Sequence, residues 1–250
     1  MFHITKNYRN LFNVYWCKKV EILKTICFIG ARGGSKGVPR KNIKQLYGKP
    51  LIAHSIDVAK KSHYIDKIYV STEDEEIKKI SIFNGANVID RPQELATDES
   101  NYLDAVKHML DTISEVKENP IIILLETTSP IRKSVYLDDC IKLLDENTDC
   151  VASISEVKVQ PVYMFKENNG YLEKFEKSLK VNNRQQMEKL FNYNGSILVS
   201  TVNFLKNQEE AVFGGRLKGY LLDEKHSVDI DSPLDFQICE FLLKNSNDWY

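Results

Sequence analysis

Between Gly30 and Asn42 the chain sets four glycines among four cations, in the order Gly30-Ala31-Arg32-Gly33-Gly34-Ser35-Lys36-Gly37-Val38-Pro39-Arg40-Lys41-Asn42. Glycines let backbone turn tightly and come close to a ligand, and Arg32, Lys36, Arg40 and Lys41 supply positive charge where a triphosphate would lie. The glycines alone fit a plain turn as well as a phosphate loop; the cations move the reading toward phosphate. A Walker A loop requires Gly-Lys followed by Ser or Thr, whereas Lys36 follows Ser35 and precedes Gly37. The dinucleotide fingerprint requires G-x-G-x-x-G and a downstream acid, and neither is present at the right spacing. What remains is a nucleoside triphosphate site of another architecture.

Two further segments carry candidate chemistry. In Asp229-Ile230-Asp231 an extended backbone would turn both carboxylates to one side and Ile230 to the core. Such a pair of hard oxygens suits Mg²⁺, which takes one or two carboxylates together with phosphate oxygens and water. A turn-forming aspartate followed by a capping one is the other reading of the same three residues. Glu126-Thr127-Thr128-Ser129-Pro130-Ile131-Arg132 ends an Ile/Leu-rich run. Its hydroxyls can bind a base or sugar edge and Arg132 can pair with an acid, or Ser129-Pro130 simply ends the strand.

These residues need a scaffold, and the hydrophobic pattern supplies one. Short Ile/Val-rich runs at Thr25-Ile29, Lys67-Thr72, Asn87-Asp90, Pro120-Glu126 and Cys150-Ser155 alternate with helical patterns at Pro50-Ser62, Asp74-Asn84, Asn101-Val116 and Val135-Glu146. That alternation predicts an α/β fold, a mainly parallel sheet with helices on both faces. Leu103, Val106, Leu110 and Ile113 recur at helical spacing on one buried face. Thr72 with Glu75 predicts a capping box, and Ser232-Pro233 predicts a capped helix start, after which Leu234, Ile238, Phe241 and Leu242 are expected in the core. From about Glu156 to Tyr193 the alternation breaks around an Asn168-Asn169-Gly170 turn, which reads as an excursion of the kind that makes subunit interfaces. Residues 1–24 read as an N-terminal extension before a single domain over 25–250.

Composition narrows the class further. With 42% hydrophobic and 28% charged residues and a net charge of -1, the 250-residue chain reads as an ordinary globular protein with no nucleic-acid-gripping surface. The five cysteines are scattered, which predicts neither a disulfide framework nor a zinc site and suits a cytoplasmic protein. No apolar run approaches the roughly 18 residues of a membrane span, so no membrane partner is expected.

Taken in order, the segments resemble the acylneuraminate cytidylyltransferase family of CMP-sialic, CMP-legionaminic and CMP-pseudaminic acid synthetases. The resemblance runs from about Lys24 to Leu243 and rests on Ala31-Arg32-Gly33-Gly34-Ser35-Lys36-Gly37 with Lys41-Asn42, Arg91-Pro92 with Leu95-Ala96 and Asp98, Thr128-Ser129-Pro130-Ile131-Arg132, Arg184-Gln185-Gln186, Asn194-Gly195, and Asp229-Ile230-Asp231-Ser232-Pro233 with Asp235. It implies a Rossmann-like nucleotidyltransferase sheet with a small dimerisation excursion over 156–193, and a homodimer. It also implies transfer of CMP from CTP to the anomeric hydroxyl of an acidic, sialic-acid-like sugar. Arg32, Lys41 and Asp231 would be catalytic; Ala31, Arg32, Gly33, Gly34, Ser35, Lys41, Asn42 and Arg91 would hold the nucleotide. Glu126, Thr128, Ser129, Arg184 and Asn194 would meet the sugar, and Asp229 and Asp231 would hold Mg²⁺. The base that takes the hydroxyl proton is open between Asp229, a metal-held hydroxide and solvent. Three departures fall on the sugar side: Glu126-Thr127-Thr128-Ser129-Pro130 stands where Gln-Pro-Thr-Ser-Pro is common, Leu198 where a tyrosine is common just after Asn-Gly, and Asn192 where an arginine is common just before it. A cytidylyltransferase for Kdo or a phosphonate, or an inactive nucleotide-binding relative, is the alternative.

Overall fold

The computed structural model describes residues 24–176 and 188–245. The extension, save its last residue, and Arg184-Gln185-Gln186 lie outside the described residues. The strands are β1 (Thr25–Gly30), β2 (Gln45–Leu46), β3 (Lys49–Pro50), β4 (Lys67–Thr72), β5 (Asn87–Asp90), β6 (Ile121–Glu126), β7 (Cys150–Glu156), β8 (Phe165–Asn168), β9 (Tyr171–Lys174), β10 (Phe191–Thr201) and β11 (Leu217–Leu221). The helices are α1 (Leu51–Lys60), α2 (Glu75–Phe83), α3 (Tyr102–Thr112), α4 (Ser134–Leu143), α5 (Val202–Lys206) and α6 (Pro233–Lys244).

Seven strands form one sheet in the order β11-β7-β10-β6-β1-β4-β5. All pairings are parallel except those of β10, which runs antiparallel to both β6 and β7. Side chains alternate between the two faces, as the period of a strand requires. Cys27, Ile29, Ile123 and Leu125 join the core beneath α1, α2 and α4, while Ile26, Phe28, Ile122 and Leu124 join the one beneath α3 and α5. The α3 stripe Leu103, Val106, Leu110 and Ile113 is buried as predicted. Covered on both faces, the sheet is the α/β fold expected from the sequence. Among the described residues no helix is long and apolar enough to cross a membrane.

Two local expectations are corrected. The α2 cap is Asp74, whose carboxylate accepts from the Glu76 and Ile77 N–H groups, and not Thr72. On α6 the Ser232 cap is present, with its reciprocal bond to Asp235, but the helix buries Phe236, Cys239 and Leu243 while Leu234 and Phe241 stay 63% and 65% exposed. Apolar residues occupy most of the circumference of α6, so periodicity allowed either stripe; the small cluster of Val38, Leu46, Leu51, Ile131 and Ile230 selects the one that faces it. The Asn169-Gly170 turn closes the β8–β9 hairpin with both residues at positive φ, 51° and 82°, as a two-residue hairpin turn requires.

Candidate active site

The chain runs from β1 outward through β4 to β5 and then crosses back to place β6 on the other side of β1. Ligands of open α/β sheets bind at the carboxyl ends of strands beside such a reversal. Here Gly30 at the end of β1 lies level with Glu126 at the end of β6, so the cationic loop and the Glu126 segment meet at one edge of the sheet.

A cleft of about 420 Å³ opens there, lined by Gly30, Arg32, Ser35, Lys36, Gly37, Lys41, Asn42, Arg91, Tyr102, Glu126, Thr127, Thr128 and Asp231. Lys41 donates to the Ile230 carbonyl at 2.6 Å and lies 3.8 Å from an Asp231 oxygen, which ties the loop to the aspartate segment. Asn42 is buried, donating to the Arg32 carbonyl at 2.8 Å and accepting from the Thr127 hydroxyl at 2.5 Å. Arg91 is buried too, fastened to the Ser71 hydroxyl and carbonyl at 3.0 and 2.8 Å. Arg32 and Lys36 share Asp98, at 2.8 and 2.7 Å, a carboxylate that their charge holds below its ordinary range, Lys36 foremost. Gly37 is required by close approach, since a Cβ at this position would overlap the Asp231 carbonyl oxygen.

The cleft does not gather every predicted nucleotide residue. Ala31, Gly33 and Gly34 build the loop without lining it: Ala31 N–H bonds the Ser71 carbonyl at 3.0 Å, and Gly33 N–H bonds Glu73 at 2.6 Å. Arg40 faces away, paired with Asp74 and Glu76 at the start of α2. Tyr102 is an addition; burial raises its phenol well above the ordinary value, and among the described residues its hydroxyl has no hydrogen-bond partner. As the first residue of an ordinary helix it carried no signal in the sequence.

A second pocket, about 320 Å³, adjoins the first and is lined by Glu126, Ser155, Asn192, Tyr193, Asn194, Gly195, Ser227 and Asp229. Its wall is an irregularity in the β10–β7 pairing between Tyr193 and Leu198, the kind of bulge that re-aims side chains beside functional sites. Gly195 adopts φ 71°, and a Cβ there would lie 3.2 Å from the Glu126 carboxyl carbon. Asn194 accepts from the Ser153 hydroxyl at 2.6 Å and the Ser196 N–H at 3.2 Å. Leu198 is fully buried beneath α3 and α5 and does not line the pocket; the aromatic side chain present is Tyr193.

Among the described residues Glu126 alone lines both pockets. Burial first, then the charge of Asp229, pushes its carboxyl up to about 7. Thr128 lines the first pocket and not the second, while Ser129 is buried and lines neither. Asp229 lines the second pocket and Asp231 the first, with Ile230 buried between them and its N–H on the Thr128 carbonyl at 2.9 Å. Among the described residues one Asp229 oxygen is buried without a hydrogen-bond partner, and burial raises that carboxyl. The Asp231 side chain is 81% exposed. Arg132 pairs with no acid among the described residues; its guanidinium donates instead to the Ser196 and Glu126 carbonyls and to the Ser55 hydroxyl.

A doubly covered, mainly parallel sheet with a cationic cleft at its reversal defines a Rossmann-like nucleotidyltransferase fold. In fold the chain is similar to a CMP:2-keto-3-deoxy-manno-octonic acid synthetase solved with CTP, with a TM-score of 0.66 at 15% identity over 88% of this chain and 98% of that one. More narrowly, the chain belongs to the cytidylyltransferase family, whose pattern it matches over residues 26–237. It is 36% identical over 219 residues to an N-acylneuraminate cytidylyltransferase of Streptococcus agalactiae, covering 86% of this chain and 52% of that protein. The chain thus spans about half the length of that relative. It is 34% identical to the post-translational flagellin modification protein B of Campylobacter coli, over 91% of this chain and 97% of that one.

Proposed function

We propose that this chain transfers CMP from CTP to the anomeric hydroxyl of a sialic-acid-like nonulosonic acid. The observation that carries the reading is the pair of adjoining pockets: a cationic one sized for a nucleotide and a polar one for an acceptor, meeting at Glu126. The anomeric hydroxyl gives up its proton, to Asp229 or to solvent, as its oxygen attacks the α-phosphorus; the bond from that phosphorus to the pyrophosphate oxygen breaks, and pyrophosphate leaves with the bonding electrons. Such a transfer depends on alignment and on stabilising spread negative charge more than on a protein nucleophile. Arg32, Lys36 and Lys41 face the triphosphate, and binding the nucleotide draws Arg32 and Lys36 from Asp98. Asn42, Arg91 and Tyr102 line the same cleft, and Asn194 and Tyr193 face the acceptor. Arg184 takes the sugar carboxylate.

Asp229 and Asp231 suit Mg²⁺: among the described residues one Asp229 oxygen is buried with no hydrogen-bond partner, and Asp231 lines the proposed nucleotide cleft. When bound, that ion would neutralise charge on the phosphate oxygens. We also infer a homodimer built on the 156–193 excursion, supported by the β8–β9 hairpin with Phe165, Tyr171, Leu172 and Phe175 exposed.

The test is pyrophosphate release with CTP and a panel of sialic, legionaminic, pseudaminic and Kdo acids. Turnover with at least one nonulosonic acid is expected; silence with all of them, or turnover with Kdo alone, rejects the acceptor. Arg184→Ala should raise the sugar KM far more than the CTP KM.

A further inference from the structure

The cationic loop after β1 is fixed at its start and bare beyond it. Ala31 N–H bonds the Ser71 carbonyl at 3.0 Å, the Arg32 carbonyl accepts from the Asn42 amide at 2.8 Å, and Gly33 N–H bonds a Glu73 carboxylate oxygen at 2.6 Å. From Gly34 to Gly37 no N–H group has a hydrogen-bond partner among the described residues. Bare N–H groups in a glycine-rich turn are the groups that phosphate oxygens bind. Glu73 therefore holds the last anchored donor before the stretch that is open to a ligand.

Glu73 directly follows β4 and lines neither pocket of the active site. Its second carboxylate oxygen is buried with no hydrogen-bond partner among the described residues, an arrangement that costs free energy unless a nearby charge offsets it. Arg91 supplies that charge: burial lowers the Arg91 pKa, and the Glu73 carboxylate is the first influence that counters the fall. Arg91 itself lines the nucleotide cleft. One side chain thus acts on two parts of the cleft, on the turn that carries Arg32 by contact and on Arg91 through its charge. Close approach makes the contact possible, since a Cβ on Gly33 would lie 2.7 Å from an Asp74 carboxylate oxygen.

We propose that Glu73 is a positioning residue for nucleotide binding: by accepting from Gly33 N–H it fixes the turn that carries Arg32 and presents the N–H groups of Gly34 to Gly37 to the phosphates, a role that rests on reading the cationic cleft as the CTP site. Two effects oppose each other here. Glu73 is an anion near a triphosphate, and repulsion alone would make its removal tighten CTP. Loss of the Gly33 bond acts in the other direction, because the turn must then be ordered at the expense of binding free energy. A charge-assisted contact is worth about ten-fold in affinity, whereas repulsion across solvent is screened by salt. Loss of the contact therefore wins.

Isothermal titration calorimetry with CTP tests it in wild type, Glu73→Gln and Glu73→Met, each held below its unfolding midpoint. Glutamine loses the charge but keeps an acceptor for Gly33 N–H; methionine keeps the volume and loses both. Glu73→Met should weaken CTP about ten-fold, and Glu73→Gln should stay within about three-fold of wild type. Hydrogen exchange of the Ala31–Gly37 segment in the free protein should quicken in Glu73→Met and keep its wild-type rate in Glu73→Gln. Glu73→Ser, whose hydroxyl is too short to reach Gly33, repeats both measurements where Glu73→Met does not fold. CTP bound by Glu73→Met as tightly as by wild type, or more tightly, would overturn the proposal. Glu73→Gln binding as weakly as Glu73→Met would also overturn it, by tracing the effect to charge. A wild type that does not bind CTP would reject the reading of the cleft, and the role of Glu73 with it.

Discussion

Glu126 joins the two halves of the site, and its protonation gives the protein a pH signature. A carboxyl whose folded pKa exceeds its unfolded value favours the folded state when protonated. That advantage is whole below about pH 4.5 and is lost as pH rises through about 7. Wild type should therefore lose up to about 3 kcal/mol of unfolding free energy across this window through Glu126. Glu126→Gln should flatten the decline, which urea unfolding at a series of pH values in EDTA measures. The same change bears on the reaction, because ionised Glu126 repels an acidic acceptor. The sugar KM of wild type should climb above pH 7 and that of Glu126→Gln should not. Asp231→Asn tests the metal assignment: turnover in Mg²⁺ should drop about 100-fold, on the scale of removing one group that stabilises transition-state charge. Its unfolding midpoint should not move, since the side chain is exposed. Activity equal to wild type would remove Asp231 from the metal site.

At the scale of elements, the sequence was most legible where the signal is local and uncontested. Strands β4 and β5 fall on their predicted residues because Lys67-Thr72 and Asn87-Asp90 are short runs bounded by Asp66, Asp74, Gly85 and Pro92. The loop after β1 was legible because glycines and cations coincide there. The wall of the second pocket was legible only through the resemblance that named Asn194-Gly195, because it depends on Gly195, Asn194 and Ser153 meeting across a bulge between strands distant in sequence. Leu198 was misplaced for the same reason: its neighbours are Leu124 and Ala152 on the flanking strands, which no local pattern reveals. The α6 stripe failed because two apolar faces competed. The cap that begins α6 directly follows Asp231, so stability and site geometry are linked there. Ser232→Ala removes both of the bonds its hydroxyl makes with Asp235 and should cost about 1 kcal/mol by chemical denaturation. It should also raise the Mg²⁺ concentration needed for half-maximal turnover.

The sheet divides into β1 with β4, β5 and β6, which carry the proposed nucleotide cleft, and β7, β10 and β11, the first two of which wall the proposed acceptor pocket. The exposed β8–β9 hairpin leaves this second group between β7 and β10. If it forms the dimer, Tyr171→Glu combined with Leu172→Glu should halve the mass seen by light scattering without lowering the unfolding midpoint of the chain. The position of β10 also dictates an order of events during synthesis. β7 can dock onto β6 only through β10, which the ribosome makes later, after the excursion. A nascent chain that has not yet reached Phe191 can therefore assemble the triphosphate loop on four parallel strands, but the edge of β6 stays bare. Such an edge, carrying Ile122, Ile123, Leu124 and Leu125, invites pairing with another chain. The strand that completes the acceptor pocket is thus also the one that closes the growing protein against aggregation.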